Sequence, residues 1–355
     1  MRGVNRKMNF KNNNQENLPS VLFLTQGDRN LASSRFRVFQ FIENIEDGHF
    51  KSQVLSLPES GVFARIRFLL KALYAALSVD VVFIQKIMFP IIYLRWMRRF
   101  TGRLVYDWDD ALYTTPPRIN IKFRKQSGRL KRLNEILSMA DTVICGNDVL
   151  AEYCKSLCND CRVIPTSIQI SKHPQSYKRL TEVVTIGWIG RAENLEYLEK
   201  LKKVFDAIYQ KYGTCVQLMV VCDKPLILDS NLTIINKKWN LKDEENDIKG
   251  FDIGIMPLED TQWARGKCAF KLLQYMAFGV ACIGSPVGAN KQVVNDADNG
   301  LLATTYEEWL NALFRLIDDP LYRKQLVASA KLTVEKEYSV AANKQAFVGA
   351  VLGDI

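Results

Sequence analysis

Four short stretches of this 355-residue sequence carry residue types whose spacing could do chemistry. The first is basic. In "WARGKCAFKLLQYMAFG", residues 263–279, the spacing of Phe270, Leu273, Tyr275, Met276 and Ala277 predicts a helix from Lys267 onward, stopped at Gly279. Arg265, Lys267 and Lys271 crowd its start, where a helix prefers negative charge; each cation there costs roughly 0.3–1 kcal/mol at an exposed site. The second is acidic: "DWDD", with Asp107, Asp109 and Asp110, closes an apolar run. A D-x-D after a strand can hold a divalent ion through hard carboxylate oxygens, or it can cap a loop and pair with nearby arginines. The third, "SSRFR" (33–37), offers Ser34, Arg35 and Arg37 to an anion at a helix start, or is simply a capped helix with two surface arginines. The fourth, "CKSLCNDC" (154–161), has the C-x3-C-x2-C spacing of radical-SAM cluster ligands. Asp160 stands where that motif carries an aromatic residue, and the reading adopted is reduced thiols with no metal site.

The elements that must position these residues alternate. In the first half "PSVLFLTQ" (19–26), "SQVLSL" (52–57), "VDVVFIQ", "RLVYDWDD", "ADTVICGN" (140–147) and "CRVIPT" (161–166) read as short strands, with helical spacing between them, as in "ARIRFLLKALYAAL" (64–77). A second series runs through "VVTIGWIG", "CVQLMVVCD", "LTIIN", "FDIGIMPL" and "VACIGSP", and the chain ends in helical stretches. Such alternation predicts parallel sheets covered by helices on both faces, with ligands at the carboxyl ends of the strands. The expected organisation is a polar lead-in over 1–18, a first domain over 19–166, a linker over 167–182, a second domain over 183–338 and a final helix over 339–355.

Composition narrows the function classes. The chain is 48% hydrophobic and 24% charged, with a net charge of +10. Its eight cysteines, apart from one cluster, are scattered, and residues 1–18 lack the apolar core of a signal peptide, which predicts a cytoplasmic protein. Two histidines argue against a His-ligated metal centre and a Ser-His-Asp triad. Between Val62 and Arg132, fifteen cations face four acids, so the positive charge sits almost wholly in that segment. The cations are interleaved with Leu, Phe, Tyr93 and Trp96, a mixture suited to an anionic membrane surface. No nucleic-acid module is visible.

Several longer segments resemble the GT-B glycosyltransferases, and among them the family 4 group that uses nucleotide sugars. The carriers are "VTIGWIGRAENLEYL", "FDIGIMPLED", "RGKCAFKLLQYMAFGVACIGSPVGANKQVV" and "NGLLA", with "SSRFRVFQF", "LVYDWDDALY" and "ADTVICGNDVLAEY…VIPTSIQI" in the first half. The resemblance implies two doubly wound Rossmann-like domains facing across a cleft and closing across the linker. It implies metal-independent, retaining transfer of a hexose from a nucleoside diphosphate sugar, the co-substrate, to a glycan or lipid-linked acceptor, with no further cofactor. The setting it suggests is cell-envelope polysaccharide synthesis at the inner face of the membrane. On this view Arg191, Arg265, Gly266, Lys267, Lys271 and Gln274 bind the donor. Ser34, Arg35 and Arg37 meet the acceptor, and Asp107, Asp109 or Asp110 accepts its proton or binds its hydroxyls. The family usually carries two glutamates eight positions apart, where this chain has Gly266 and Gln274. That departure leaves two alternatives: a catalytically silent relative that binds a glycan or a partner protein, and an epimerase acting on the nucleotide sugar.

Overall fold

Runs of apolar and β-branched residues form two six-stranded sheets in the computed structural model, which describes residues 18–45, 48–115, 123–170 and 183–353, without the side chains of 123–125. The lead-in up to residue 17 and positions 171–182 of the expected linker lie outside the described residues. Contacts divide the chain into a first unit, up to Ser167 and again from Val340, and a second unit, Ile168–Ser339.

The first unit's sheet consists of β1 (Ser20–Thr25), β2 (Lys51–Ser56), β3 (Val81–Gln85), β4 (Arg103–Trp108), β5 (Thr142–Cys145) and β6 (Cys161–Val163). Every pairing is parallel, in the order β2-β1-β3-β4-β5-β6. Strands β1, β3, β4 and β5 are almost continuously buried because both of their faces are covered, whereas β2 at the edge is half exposed. Register sets the later chemistry: Gln85 lies beside Asp107, and Trp108 beside Cys145. The helix Val340–Leu352 packs on this sheet, with Phe347 stacked on Phe41 at 4.2 Å between ring centroids, and Arg103 Nε donates to the Val351 carbonyl at 3.1 Å.

The second unit repeats the plan with β7 (Val184–Ile189), β8 (Val216–Cys222), β9 (Thr233–Lys238), β10 (Ile253–Met256), β11 (Ala281–Gly284) and β12 (Leu301–Leu302), ordered β12-β11-β10-β7-β8-β9. Strand β12, only Leu301 and Leu302, pairs in parallel with β11 and is too short to register as a strand by periodicity. The helix Phe270–Ala277 is clamped over this sheet by Tyr275, whose hydroxyl donates to the Ile255 carbonyl at 3.2 Å and accepts from the Ile189 N–H at 3.3 Å. That close approach requires Gly254, where a Cβ would stand 2.4 Å from the Tyr275 ring. The helix Tyr306–Asp318 starts on a capping box: Thr305 accepts from the Glu308 N–H, and Glu308 accepts from the N–H groups of Thr304 and Thr305.

Candidate active site

In the second unit the basic stretch is not one helix. Thr261 caps a short helix, Gln262–Arg265, which ends at Gly266. The chain then turns, and the longer helix starts at Phe270 rather than at Lys267. Ala269 makes the junction at φ 53°, a left-handed conformation that costs an alanine energy and is held there by complete burial. Arg265 and Lys267 therefore precede the helix, and only Lys271 lies in its first turn.

The break separates the fates of the cations. Arg265 forms a forked ion pair with Asp260, Nε to Oδ1 at 2.5 Å and an Nη to Oδ2 at 2.9 Å. The guanidinium holds the Asp260 carboxyl below its usual range. Lys267 reaches across to the loop after β7, where it donates to Asn194 Oδ1 at 3.3 Å. Asn194 is part of a 3-10 turn and a tether for Lys267. Lys271 lies over the Trp188 indole, 5.4 Å from the ring centroid. Gly190 makes room for it, since a Cβ there would fall 2.8 Å from Lys271 Cε. The same loop is fixed from β8 by Asp223, which accepts from the Ala192 N–H at 2.9 Å, and it carries the largely exposed Arg191, 3.4 Å from Glu193. Lys267 and Lys271 thus converge with Arg191 on the carboxyl end of β7, beside the first turn of an eight-residue helix whose initial N–H groups have no intrahelical acceptor.

Gln274 is buried, and its amide donates to Glu244 Oε1 at 3.0 Å; Glu244 also accepts from Trp239 Nε1 at 2.8 Å. Glu244 has no motif around it, and sequence reasoning passed it over. Gly266, without a side chain, offers only its backbone.

The first unit presents its own cluster at the ends of β1, β3 and β4. Ser34 is not a helix cap: it is buried, accepts from the Gly27 N–H at 3.1 Å and donates to Gln85 Oε1 at 3.0 Å. Residues 35–39 form a π-helical turn. Arg35 donates to the Arg29 carbonyl at 2.9 Å. Arg37 is only 2% exposed and turns inward to Asp107, which is 0% exposed, with Nε 3.1 and 3.2 Å from the two carboxylate oxygens. A terminal nitrogen of Arg37 also donates to the Ile164 carbonyl at 2.6 Å. Burial pushes the Asp107 carboxyl up, and the guanidinium pulls against it. Groups so deeply enclosed bind one another, and neither side chain is on a surface that an acceptor could touch.

Asp109 and Asp110 instead grip Lys86, Nζ to Asp109 Oδ1 at 2.8 Å. Burial favours the neutral amine, but the two carboxylates outweigh it and raise the Lys86 pKa. Lys86 sits at φ 60° directly after β3, a strained position for a lysine and a feature typical of functional loops. The sequence had marked this loop only by its place after a strand. Close by in the strands, the Tyr106 hydroxyl and the Gln85 amide nitrogen are buried with no hydrogen-bond partner among the described residues.

Comparison with known proteins follows the same division. Residues 183–319 match the family model described as glycosyl transferases group 1. Over the whole chain, similar solved structures include Anabaena HepE in complex with UDP and glucose, at 14% identity and a TM-score of 0.61, covering 93% of this chain and 98% of that one. Sucrose-phosphate synthase from Thermosynechococcus elongatus aligns at 14% identity with a TM-score of 0.71, over 93% and 97% of the two chains. The fold is GT-B. Two Rossmann-like units with parallel six-stranded sheets are what that fold requires. A third similar solved structure, the lipopolysaccharide outer core galactosyltransferase WaaB, aligns at 14% identity and a TM-score of 0.61, over 95% of this chain and 100% of that one. No curated protein sequence matches the chain significantly.

Proposed function

We propose that this GT-B protein is a glycosyltransferase that moves a sugar, a hexose on the family resemblance, from a nucleoside diphosphate donor to a hydroxyl of a glycan or lipid-linked acceptor. The observation that carries the reading is the convergence of Lys267 and Lys271 on the loop after β7, at the start of the Phe270–Ala277 helix. A diphosphate placed there meets two ammonium groups, Arg191 and the helix's positive end. The bond from the anomeric carbon to the diphosphate oxygen breaks and a bond to the acceptor oxygen forms. The acceptor proton leaves to the diphosphate or solvent, and the cations stabilise the charge that develops on the leaving group. This role needs no metal, and a retaining outcome follows the family resemblance. Gln274, which the family resemblance gives to the donor, is buried and donates its amide to Glu244, so the pair shapes the donor site from beneath. The solved complexes of HepE with UDP support a nucleotide-sugar donor.

In the first unit Asp109 and Asp110, with Lys86, are the residues we assign to the acceptor side, together with Arg35. Arg37, Asp107 and Ser34 serve by building that surface from beneath. The acceptor's setting follows from a second surface of that unit. The helix Val62–Ala76 exposes Phe63 at 89% with Val62, Leu70 and Tyr74, and the helix Ile91–Phe100 exposes Ile92 and Trp96. Tyr93 ties the two helices together through the Leu69 carbonyl at 2.6 Å. Arg65, Arg67, Lys71, Arg95 and Arg99 are exposed among these side chains. Apolar groups rimmed by cations suit the cytoplasmic face of an anionic bilayer and a lipid-linked acceptor of envelope polysaccharide synthesis. No helix among the described residues is long and apolar enough to cross a membrane.

A second reading, a silent relative that binds without catalysing, is favoured by Gly266 and by the engagement of Gln274 with Glu244. One experiment separates the two: titration with UDP, GDP, ADP and CMP, with and without magnesium, on the native protein and Lys267→Ala, followed by release of free nucleotide from the matching sugar donor. Tight, magnesium-independent binding of one diphosphate, weakened about 10-fold or more in the variant as expected for a lost charged hydrogen bond, supports donor binding. Absence of any nucleotide binding refutes it. Binding without turnover selects the silent relative, and conversion of donor alone, followed by NMR, selects the epimerase.

A further inference from the structure

We propose that Cys145, Cys154, Cys158 and Cys161 form an all-thiolate site for one divalent soft metal ion, zinc above all, in the first unit. The four residues come from three elements that the fold brings to one place. Cys145 ends β5, Cys154 ends the helix Asp148–Cys154, Cys158 lies in the turn that follows, and Cys161 begins β6. The spacing C-x8-C-x3-C-x2-C ends in the C-x2-C chelate common to zinc sites. Sequence reading weighed only the last three cysteines, because Cys145 joins them through sheet pairing: Val143 lies beside Cys161, and Cys145 beside Val163.

Geometry identifies the occupant's size. The sulfurs of Cys145, Cys154 and Cys161 all lie within 4.8 Å of one another. Cys145 Sγ is 3.6 Å from Cys154 Sγ and 3.7 Å from Cys161 Sγ. A tetrahedral ion with metal–sulfur bonds of about 2.3 Å sets its sulfurs about 3.8 Å apart. The thiols of Cys145, Cys154 and Cys161 therefore stand near three corners of such a tetrahedron. An iron–sulfur cluster, the occupant suggested by the C-x3-C-x2-C spacing, holds its cysteines around a whole cage of metal and sulfide, and three sulfurs this close enclose a single ion. The separations are also well beyond a disulfide bond, and all eight cysteines are free thiols. Cys158 is the candidate fourth ligand: it lies in the turn beside the trio, its thiol donates to the Cys154 carbonyl at 3.4 Å, and a change of its side-chain rotamer would have to bring its sulfur to the ion.

The surroundings fit a thiolate centre. Trp108 Nε1 donates to Cys145 Sγ at 3.1 Å, the kind of outer hydrogen bond that orients a metal-bound sulfur. Cys145 and Cys154 are fully buried, while Cys158 and Cys161 are partly exposed and give the ion a way in. Coordination is not a redox step: each thiol that binds the ion releases one proton to solvent. The bound ion would cross-link β5, the helix and the three-residue edge strand β6, and would fix the Trp108 indole next to Asp109.

The test uses the full chain, expressed with zinc in the medium and purified under reducing conditions without chelator. Metal content is measured by plasma mass spectrometry, with cobalt substitution as the spectroscopic probe. The expected result is about one zinc ion per chain, thiolate-to-cobalt charge-transfer bands after exchange, and a lower melting temperature once a strong chelator removes the ion. Cys158→Ser and Cys161→Ser, at partly exposed positions that a folded protein tolerates, lose the ion, and Cys215→Ser in the second unit keeps it. A native chain with no stoichiometric metal and no cobalt bands overturns the proposal, as does a Cys–Cys disulfide within the cluster in the native protein. The readouts are independent of nucleotide binding, so this inference stands or falls apart from the proposed activity.

Discussion

Replacing Arg37 by methionine should unfold the first unit's sheet before it affects any ligand. Arg37 and Asp107 are 2% and 0% exposed, and among the described residues the guanidinium is the main charge compensation of the Asp107 carboxylate. Removing one partner of a buried pair costs about 3–5 kcal/mol, because the other charge remains without water or counterion. The Ile164 carbonyl loses a 2.6 Å donor in the same substitution. For a domain of this size that loss lowers the melting temperature by about 6–20 °C. The double variant Arg37→Met/Asp107→Leu removes both charges, and replacing a buried pair with apolar side chains is often close to neutral. It should therefore be more stable than Arg37→Met alone by about 2 kcal/mol or more, against the additivity expected of independent sites. Hydrogen exchange in rising urea, read by peptide mass spectrometry, follows β1, β3 and β4 separately from the second unit, which matters because a two-unit chain is not expected to unfold in one step. An Arg37→Met protein with native exchange in β1, β3 and β4 that had lost transfer activity alone would refute the reasoning and return Arg37 to the acceptor surface.

Other outcomes follow from single contacts. Gly254→Ala puts a methyl group against the Tyr275 ring and should cost about 1–3 kcal/mol by overpacking, seen as a lower melting temperature that Gly254→Ala/Tyr275→Leu partly restores. In the capping box, the N–H groups of Thr305 and Thr304 hold the Glu308 carboxyl below its usual range. A lowered carboxylate pKa adds stability above the unfolded value of about 4.3 and loses it as pH falls through the folded value. The stability gap between native protein and Glu308→Gln should therefore be full at pH 7 and close in acid, measured by urea unfolding across pH. Phe63→Glu/Trp96→Glu should abolish sedimentation with vesicles containing phosphatidylglycerol while leaving nucleotide binding unchanged; retained sedimentation would remove the membrane from the proposal.

The strand series was legible because burial on both faces writes itself as uninterrupted apolar runs: "VLFLT", "VVFIQ" and "IGIM" need no partner to be read. The carboxyl ends of those strands follow, and with them the loops that hold Lys86, Asp109, Asp110 and Arg191. What periodicity does not encode is which side chain each loop residue meets. Arg37 and Asp107 are 70 positions apart, Gln274 and Glu244 are 30 apart, and either member of each pair reads equally well as solvent-facing. The start of the 270–277 helix was misplaced for a similar reason. Nothing local forces Ala269 into a left-handed turn; burial against the rest of the unit does, and the helix cannot extend back past it.

Charge counted along a sequence is therefore not charge available to a ligand. The segment from Val62 to Arg132 holds Lys86, whose ammonium is enclosed by two carboxylates, and Arg98, paired with Asp141 at 2.7 Å. It also holds Arg65, Arg67 and Lys71, exposed on one helix beside apolar side chains. Only the second kind contributes to the field that an approaching bilayer or anion feels, because a cation in contact with a carboxylate presents little net charge beyond a Debye length of about 8 Å. The same sorting applies to the basic stretch of the second unit. The Arg265 guanidinium is closed by the Asp260 fork, while Lys267 and Lys271 are directed by Asn194 and Trp188 to the end of β7. A lysine ammonium held by an amide oxygen or an indole face keeps most of its charge for a third group. In the proposed donor site the two lysines, directed to the end of β7, are therefore the cations assigned to the diphosphate.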